Sequence, residues 1–166
     1  TAHISRIKIL TGIGHLRLHQ CFCSVLVAIC ERNEKLKAKI DKLSVEKLNN
    51  ERVKFLPIGY TNQMDELMSA SDLIVGKPGG LTTSEALAKS LIFVIVNPIP
   101  GQEERNSDHL LEKGCAIKCN TLPTLPYKID KLVKNKVRFE TMKLYIESLS
   151  SPNSAEALVE KLAVSK

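Results

Sequence analysis

At 166 residues, with 43% hydrophobic and 25% charged side chains, the chain fits a single soluble globular domain, residues 1–166, large enough to bury a core. No apolar run approaches the roughly 20 residues that cross a bilayer, and the basic start TAHISRIKIL lacks the layout of a secretory signal, so an intracellular protein is expected. The net charge of +6 suits an acidic partner such as anionic lipid or nucleic acid, and equally a solvated surface, but 4% aromatics without tryptophan leave few stacking platforms, and no nucleic-acid partner is expected.

Short apolar runs alternate with amphipathic stretches, the pattern of a parallel sheet with helices on its faces. Strands are predicted at residues 7–10 (IKIL), 25–29 (VLVAI), 53–56 (VKFL), 73–75 (LIV), 93–96 (FVIV) and 116–118 (AIK). Helices are predicted over 33–43, 63–70, 83–89 and 103–113, the last closed by Gly114. Three more are expected at 128–135, at 138–149 and after Ser151-Pro152. The result is an α/β doubly wound parallel sheet. The first unit fits least well, because HLRLHQCFCS is short for a crossover helix; either the unit is abbreviated or residues 7–10 are not a strand. Five cysteines, Cys21, Cys23, Cys30, Cys115 and Cys119, form no CxxC pair and meet no histidine cluster at zinc spacing, so reduced thiols and no metal site are expected. Thr1 in place of methionine suggests a processed or excised piece of something longer.

The stretch GKPGGLTTSEALAKS, residues 76 to 90, follows a predicted strand directly. Gly79 and Gly80 permit close approach of a bulky group, and the N–H groups of Leu81, Thr82 and Thr83 at the helix start, with the two threonine hydroxyls, suit an anion. The competing reading is a capping box from Thr82 to Glu85, with Leu81 and Ala86 as the hydrophobic staple and no ligand. In NPIPGQEERN, residues 97 to 106, two prolines and a glycine fix a rigid loop, and Gln102, Glu103 and Asn106 supply the amides and carboxylate that hydroxyl-rich ligands use. Glu104 reads instead as a first-turn acid favoured by the helix dipole. In PIGYTNQMDEL, residues 57 to 67, the backbone after Gly59 can offer paired N–H and C=O groups to a flat base, or form a plain loop with an asparagine cap.

In this order the segments RNEKL (32–36), GYTNQM (59–64), KPGGLTTSEALAK (77–89), NPIPGQEERN (97–106) and PNSAEALVEKL (152–162) resemble the C-terminal, donor-binding half of GT-B glycosyltransferases of family 28. The likeness is to processive diacylglycerol glucosyltransferases and monogalactosyldiacylglycerol synthases in particular. It implies a Rossmann-like domain with a UDP-sugar as substrate and no cofactor. The backbone near Tyr60 and Thr61 would hold the uracil, Gly79, Gly80, Leu81 and Thr82 the diphosphate, Glu85 the ribose, and Gln102, Glu103 and Asn106 the sugar. It also implies an N-terminal acceptor domain, absent from this chain, that carries the general base, so no catalytic residue is named here. A lipid acceptor at the cytoplasmic face of a membrane is implied as partner. Three departures from the family pattern stand out: the shortened stretch after TGIG, Glu31 in place of a glycine before RNEKL, and SLIF at 90–93 in place of a glycine-leucine-proline lead-in to the strand. Two other functions remain open, a non-catalytic nucleotide-binding module and a UDP-GlcNAc transferase subunit acting on a polyprenyl-linked acceptor. A dehydrogenase-like dinucleotide site is disfavoured, since no glycine fingerprint follows the first strand.

Overall fold

The computed structural model describes residues 7–11, 24–43 and 53–150. Six strands, β1 (Ile7–Thr11), β2 (Ser24–Ile29), β3 (Val53–Ile58), β4 (Leu73–Gly76), β5 (Ile92–Val96) and β6 (Ala116–Cys119), form one sheet in the order β3-β2-β1-β4-β5-β6, with every neighbouring pair parallel. Between them lie α1 (Glu34–Leu43), α2 (Met64–Ser69), α3 (Gly80–Ala88) and α4 (Gln102–Glu112), and α5 (Leu125–Lys134) and α6 (Lys136–Leu149) follow β6. Residues 7–11 are a strand, paired with β2 on one side and β4 on the other. The connection from β1 to β2 and the helix expected after Pro152 lie outside the described residues.

The sequence of β5, IFVIV, is apolar without alternation because both faces of a central parallel strand are covered, and all five side chains are buried. Leu73, Ile74 and Val75 of β4 and Leu26 to Ile29 of β2 continue the same core. Helix α6 adds Phe139, Met142 and Ile146, and α5 adds Leu125, Ile129 and Leu132. Strand β3 runs two residues past its predicted end, through Pro57, because it is an edge strand where a missing N–H costs no ladder bond. Helix α5 begins at Leu125, three residues early, since Pro126 sits in its first turn, where its lack of an N–H is harmless. Asn33 and Asn135 cap α1 and α6, their side-chain oxygens accepting from the N–H groups of Leu36 and Arg138, each at 3.0 Å.

A candidate nucleotide-binding cleft

The strand order reverses at β1: β2 and β3 lie on one side of it, β4 to β6 on the other. In such sheets the carboxyl ends of the strands flanking the reversal leave a crevice, which is where ligands bind. A cleft of about 540 Å³ occupies this position, lined by Cys30 and Glu31 after β2, Val75 to Lys77 at the end of β4, Thr82 and Glu85 of α3, and Met64 and Met68 of α2. Its size is that of a small-molecule site.

Helix α3 starts at Gly80, three residues earlier than predicted, and its N-cap is Gly79, with no side-chain cap. The capping-box reading therefore fails. Thr82 already lies within the helix, and Leu81, 83% exposed, cannot staple. The first intrahelical bond runs from the Thr83 N–H to the Gly79 carbonyl at 2.8 Å. The anion-facing donors are accordingly shifted by one residue: the N–H groups of Gly80, Leu81 and Thr82 have no partner among the described residues, and that of Thr83 is spent. Nor does backbone geometry require the glycine pair. Gly79 has φ of −64°, Gly80 is helical, and a Cβ on Gly79 would meet nothing within 4 Å.

The NPIPGQEERN loop lies against this helix start. A Cβ on Gly80 would stand 3.9 Å from the Gln102 amide nitrogen, and the Asn106 amide donates to the Pro78 carbonyl at 2.8 Å. Glu103 turns back to accept the Ile99 N–H at 2.7 Å, closing the loop on itself, and Glu104 accepts weakly from the Gly101 N–H at 3.4 Å, as a first-turn acid should. Gly101, at φ 103°, is where glycine is required. One Glu103 oxygen and the Asn106 amide nitrogen are thus already engaged; the remaining oxygen of each, and Gln102, can face a ligand.

Tyr60 and Thr61 sit beyond the end of β3, across β2 from α3. They do not line the cleft, but the helix they lead into does so through Met64 and Met68. Asn62 does not cap α2: the N-cap is Gln63, without a side-chain cap, and the Thr61 hydroxyl accepts the Gln63 N–H at 3.0 Å in the turn before the helix. Tyr60 is exposed, and the Arg32 guanidinium lies 5.3 Å from its ring centroid, a cation–π contact joining the turns after β2 and β3. Arg32, Cys30 and the two methionines were not assigned to the site from sequence. A methionine pair at helical spacing reads as ordinary core, and only the topology turns it toward a ligand space.

The family described as glycosyltransferase family 28 C-terminal domain matches residues 8–160. The chain belongs to that family. The processive diacylglycerol beta-glucosyltransferase of Bacillus subtilis (strain 168) is 31% identical to this family 28 domain over 137 residues, covering 82% of the chain and 35% of the relative. That of Bacillus cereus (strain B4264) is 33% identical over 155 residues, covering 90% and 39%. The domain thus spans well under half the length of these relatives. Among solved structures, MurG of Acinetobacter baumannii superposes with a TM-score of 0.75 at 17% identity, over 96% of this chain and 50% of that one. HepE of Anabaena in complex with UDP gives 0.55 at 17%, over 96% and 49%. At that identity they speak for the fold alone, the Rossmann-like half of a GT-B glycosyltransferase expected from the sequence.

Proposed function

We propose that this family 28 domain is the donor-binding half of a glycosyltransferase that moves a hexose from a UDP-sugar to a diacylglycerol-type lipid. The observation that carries the reading is the start of α3: three N–H groups without partners among the described residues, beside a glycine pair that the backbone does not require, at the reversal point of the sheet. As the glycosidic bond breaks, the leaving diphosphate gains negative charge, and fixed donors at a helix start stabilise it where it develops. Glu85, on the cleft wall, accepts from ribose hydroxyls; Gln102, with the free oxygens of Glu103 and Asn106, reads the sugar; the backbone at Tyr60 and Thr61 meets the uracil edge. Displacement at the anomeric carbon inverts its configuration. The base that activates the acceptor belongs to an N-terminal domain supplied in cis or in trans, and the acceptor lipid lies at the cytoplasmic face of a membrane. The names of the Bacillus relatives support this acceptor class.

The test is calorimetric titration of the chain with UDP, ADP, NAD and UMP, repeated on Glu85→Ala. The expected result is UDP binding in preference to ADP and NAD, tighter than UMP, and weakened about tenfold or more by loss of a carboxylate that accepts ribose hydroxyls. Equal binding of UDP and ADP, or no binding of any nucleotide, would overturn the reading.

A further inference from the structure

A second, larger cleft of about 720 Å³ lies at the other end of the sheet, along β6, between the end of α4 and helices α5 and α6. Four cations line it, Lys118, Lys128, Lys131 and Arg138, and no carboxylate does. Among the described residues none of the four forms an ion pair, whereas Lys37, Lys89 and Lys134 each have an aspartate within 2.8 Å. The Lys128 ammonium donates to the Lys118 carbonyl, which holds it at the end of β6. Four cations with no carboxylate among the lining residues give this cleft a positive potential.

The same face is also apolar. Tyr145 is half exposed, and its ring lies over Gly114, where a Cβ would come within 2.9 Å of it, so the glycine makes room for a flat aromatic wall. Tyr127 is 67% exposed across the cleft. On α6, Val137 and Leu144, exposed by 80% and 65%, are two turns apart on a stripe with Thr141 and the exposed Glu140, and Thr141 borders Tyr145 and the cleft. A small soluble anion would engage the cations and leave these side chains without use. Unpaired cations mixed with tyrosines and aliphatic side chains are what a bilayer surface rewards: cations meet anionic headgroups, tyrosine rings sit at headgroup level, and aliphatic groups reach the acyl boundary.

We propose that the α5–α6 face with the β6 cleft docks this domain on an anionic lipid bilayer. None of its residues lines the donor cleft, so the inference goes beyond the donor-site reading and stands independently of it. Among the described residues no helix is long and apolar enough to span a membrane.

The test is co-sedimentation of the 166-residue chain with phosphatidylcholine vesicles, with and without phosphatidylglycerol. Binding is expected only to the anionic vesicles and is lost in about 0.5 M salt, where screening is nearly complete over a few ångströms. Lys131→Ala with Arg138→Ala should weaken it about 25-fold, roughly fivefold for each cation near the surface. Lys35→Ala with Lys39→Ala removes equal charge from the exposed face of α1 and should change it by less than about threefold, by the same reckoning. Lys131→Gln alone serves as the milder variant, and a thermal melt followed by circular dichroism checks that each variant has folded. Equal binding to neutral vesicles, equal loss from both double variants, no sedimentation at all, or tighter binding to duplex DNA than to the vesicles would each overturn the proposal.

Discussion

The side-chain amide of Asn106 donates a 2.8 Å hydrogen bond to the main-chain carbonyl of Pro78, tying the first turn and a half of α4 to the turn that opens α3. Pro78 is buried, and its carbonyl can only accept, so the orientation of the amide follows from chemistry. The bond holds the two loops of the proposed site at a fixed spacing. Asn106→Ala should cost about 1 kcal/mol of unfolding free energy in a urea titration and weaken UDP-sugar binding more than UDP binding. Asn106→Asp should cost more, because a carboxylate facing a carbonyl repels it and cannot donate. If Asn106→Ala leaves stability unchanged, the residue acts on the ligand alone.

Gly79 and Gly80 separate a structural reason for glycine from a ligand reason. Neither has a positive φ, and a Cβ would have open space at the first and ordinary contact with Gln102 at the second. Gly79→Ala and Gly80→Ala should therefore fold, and Gly80→Ala should gain up to about 1 kcal/mol, since alanine is the better helix former. UDP binding should nonetheless fall at least about tenfold in both, because the added methyl occupies the space through which a diphosphate approaches the N–H groups. Parallel thermal melts and UDP titrations decide it: unchanged affinity with raised stability would mean the pair has no ligand to admit.

The three described cysteines are buried, and burial is the largest influence raising each thiol above its ordinary value; Asp41 and Glu34 add to the rise at Cys30, while Lys37, Lys113 and Lys128 partly offset it at Cys30, Cys115 and Cys119 respectively. A raised folded pKa means the native state keeps a proton that the unfolded chain has lost. The stability this represents is fully present below the unfolded value of about 8.5 and is lost as pH rises through the folded values. The unfolding free energy should thus decline from pH 8 upward. In a Cys21→Ser, Cys23→Ser background, a thiol-specific disulfide reagent at pH 8 should find no reactive thiol until denaturant is added, and then find three. Fast reaction of Cys30, which lines the donor cleft, would show that the cleft opens more than its 3% exposure suggests.

Much of the fold was legible because strands buried on both faces are written as unbroken apolar runs; LIV at 73–75 and IFVIV at 92–96 admit no other reading in an alternating α/β pattern. Helix starts were less legible. Thr82 to Glu85 satisfies the capping-box pattern in sequence, yet Gly79 and Gly80 start the helix earlier without a cap, and a pattern local to four residues cannot choose between the two registers. The site was legible in its loops and not in its contacts. Asn106 with Pro78 and Arg32 with Tyr60 each join positions twenty-eight residues apart through the sheet order, which local spacing does not encode.

Two departures from the family pattern fall on the backbone positions where glycine would matter. Glu31 has φ of 49° in the tight turn closed by the Asn33 N–H on the Cys30 carbonyl, and Ser90 has φ of 54° at the end of α3. Ser90 there does what Gly114 does after α4. In each, the positive-φ residue donates to a carbonyl three back, Leu87 or Leu111, and the next N–H reaches one five back, Ala86 or Leu110, at 2.8 to 3.0 Å. Side chains with a Cβ hold this conformation at a cost of roughly 1–2 kcal/mol, partly offset by the greater freedom glycine has when unfolded. Glu31→Gly and Ser90→Gly should each stabilise the chain by about 1 kcal/mol, a rise in Tm of about 2–4 °C for a domain of this size. The two differ at the ligand. Glu31 lines the cleft, so removing its carboxylate should also tighten UDP binding severalfold at low salt, and the gain should shrink as salt is added. Ser90, at the opposite end of α3 from the N–H groups, should leave affinity unchanged. If both raise Tm and only Glu31→Gly tightens UDP, the anionic ligand sits at the end of β2 and the start of α3 as proposed; if neither moves affinity, the diphosphate is held elsewhere.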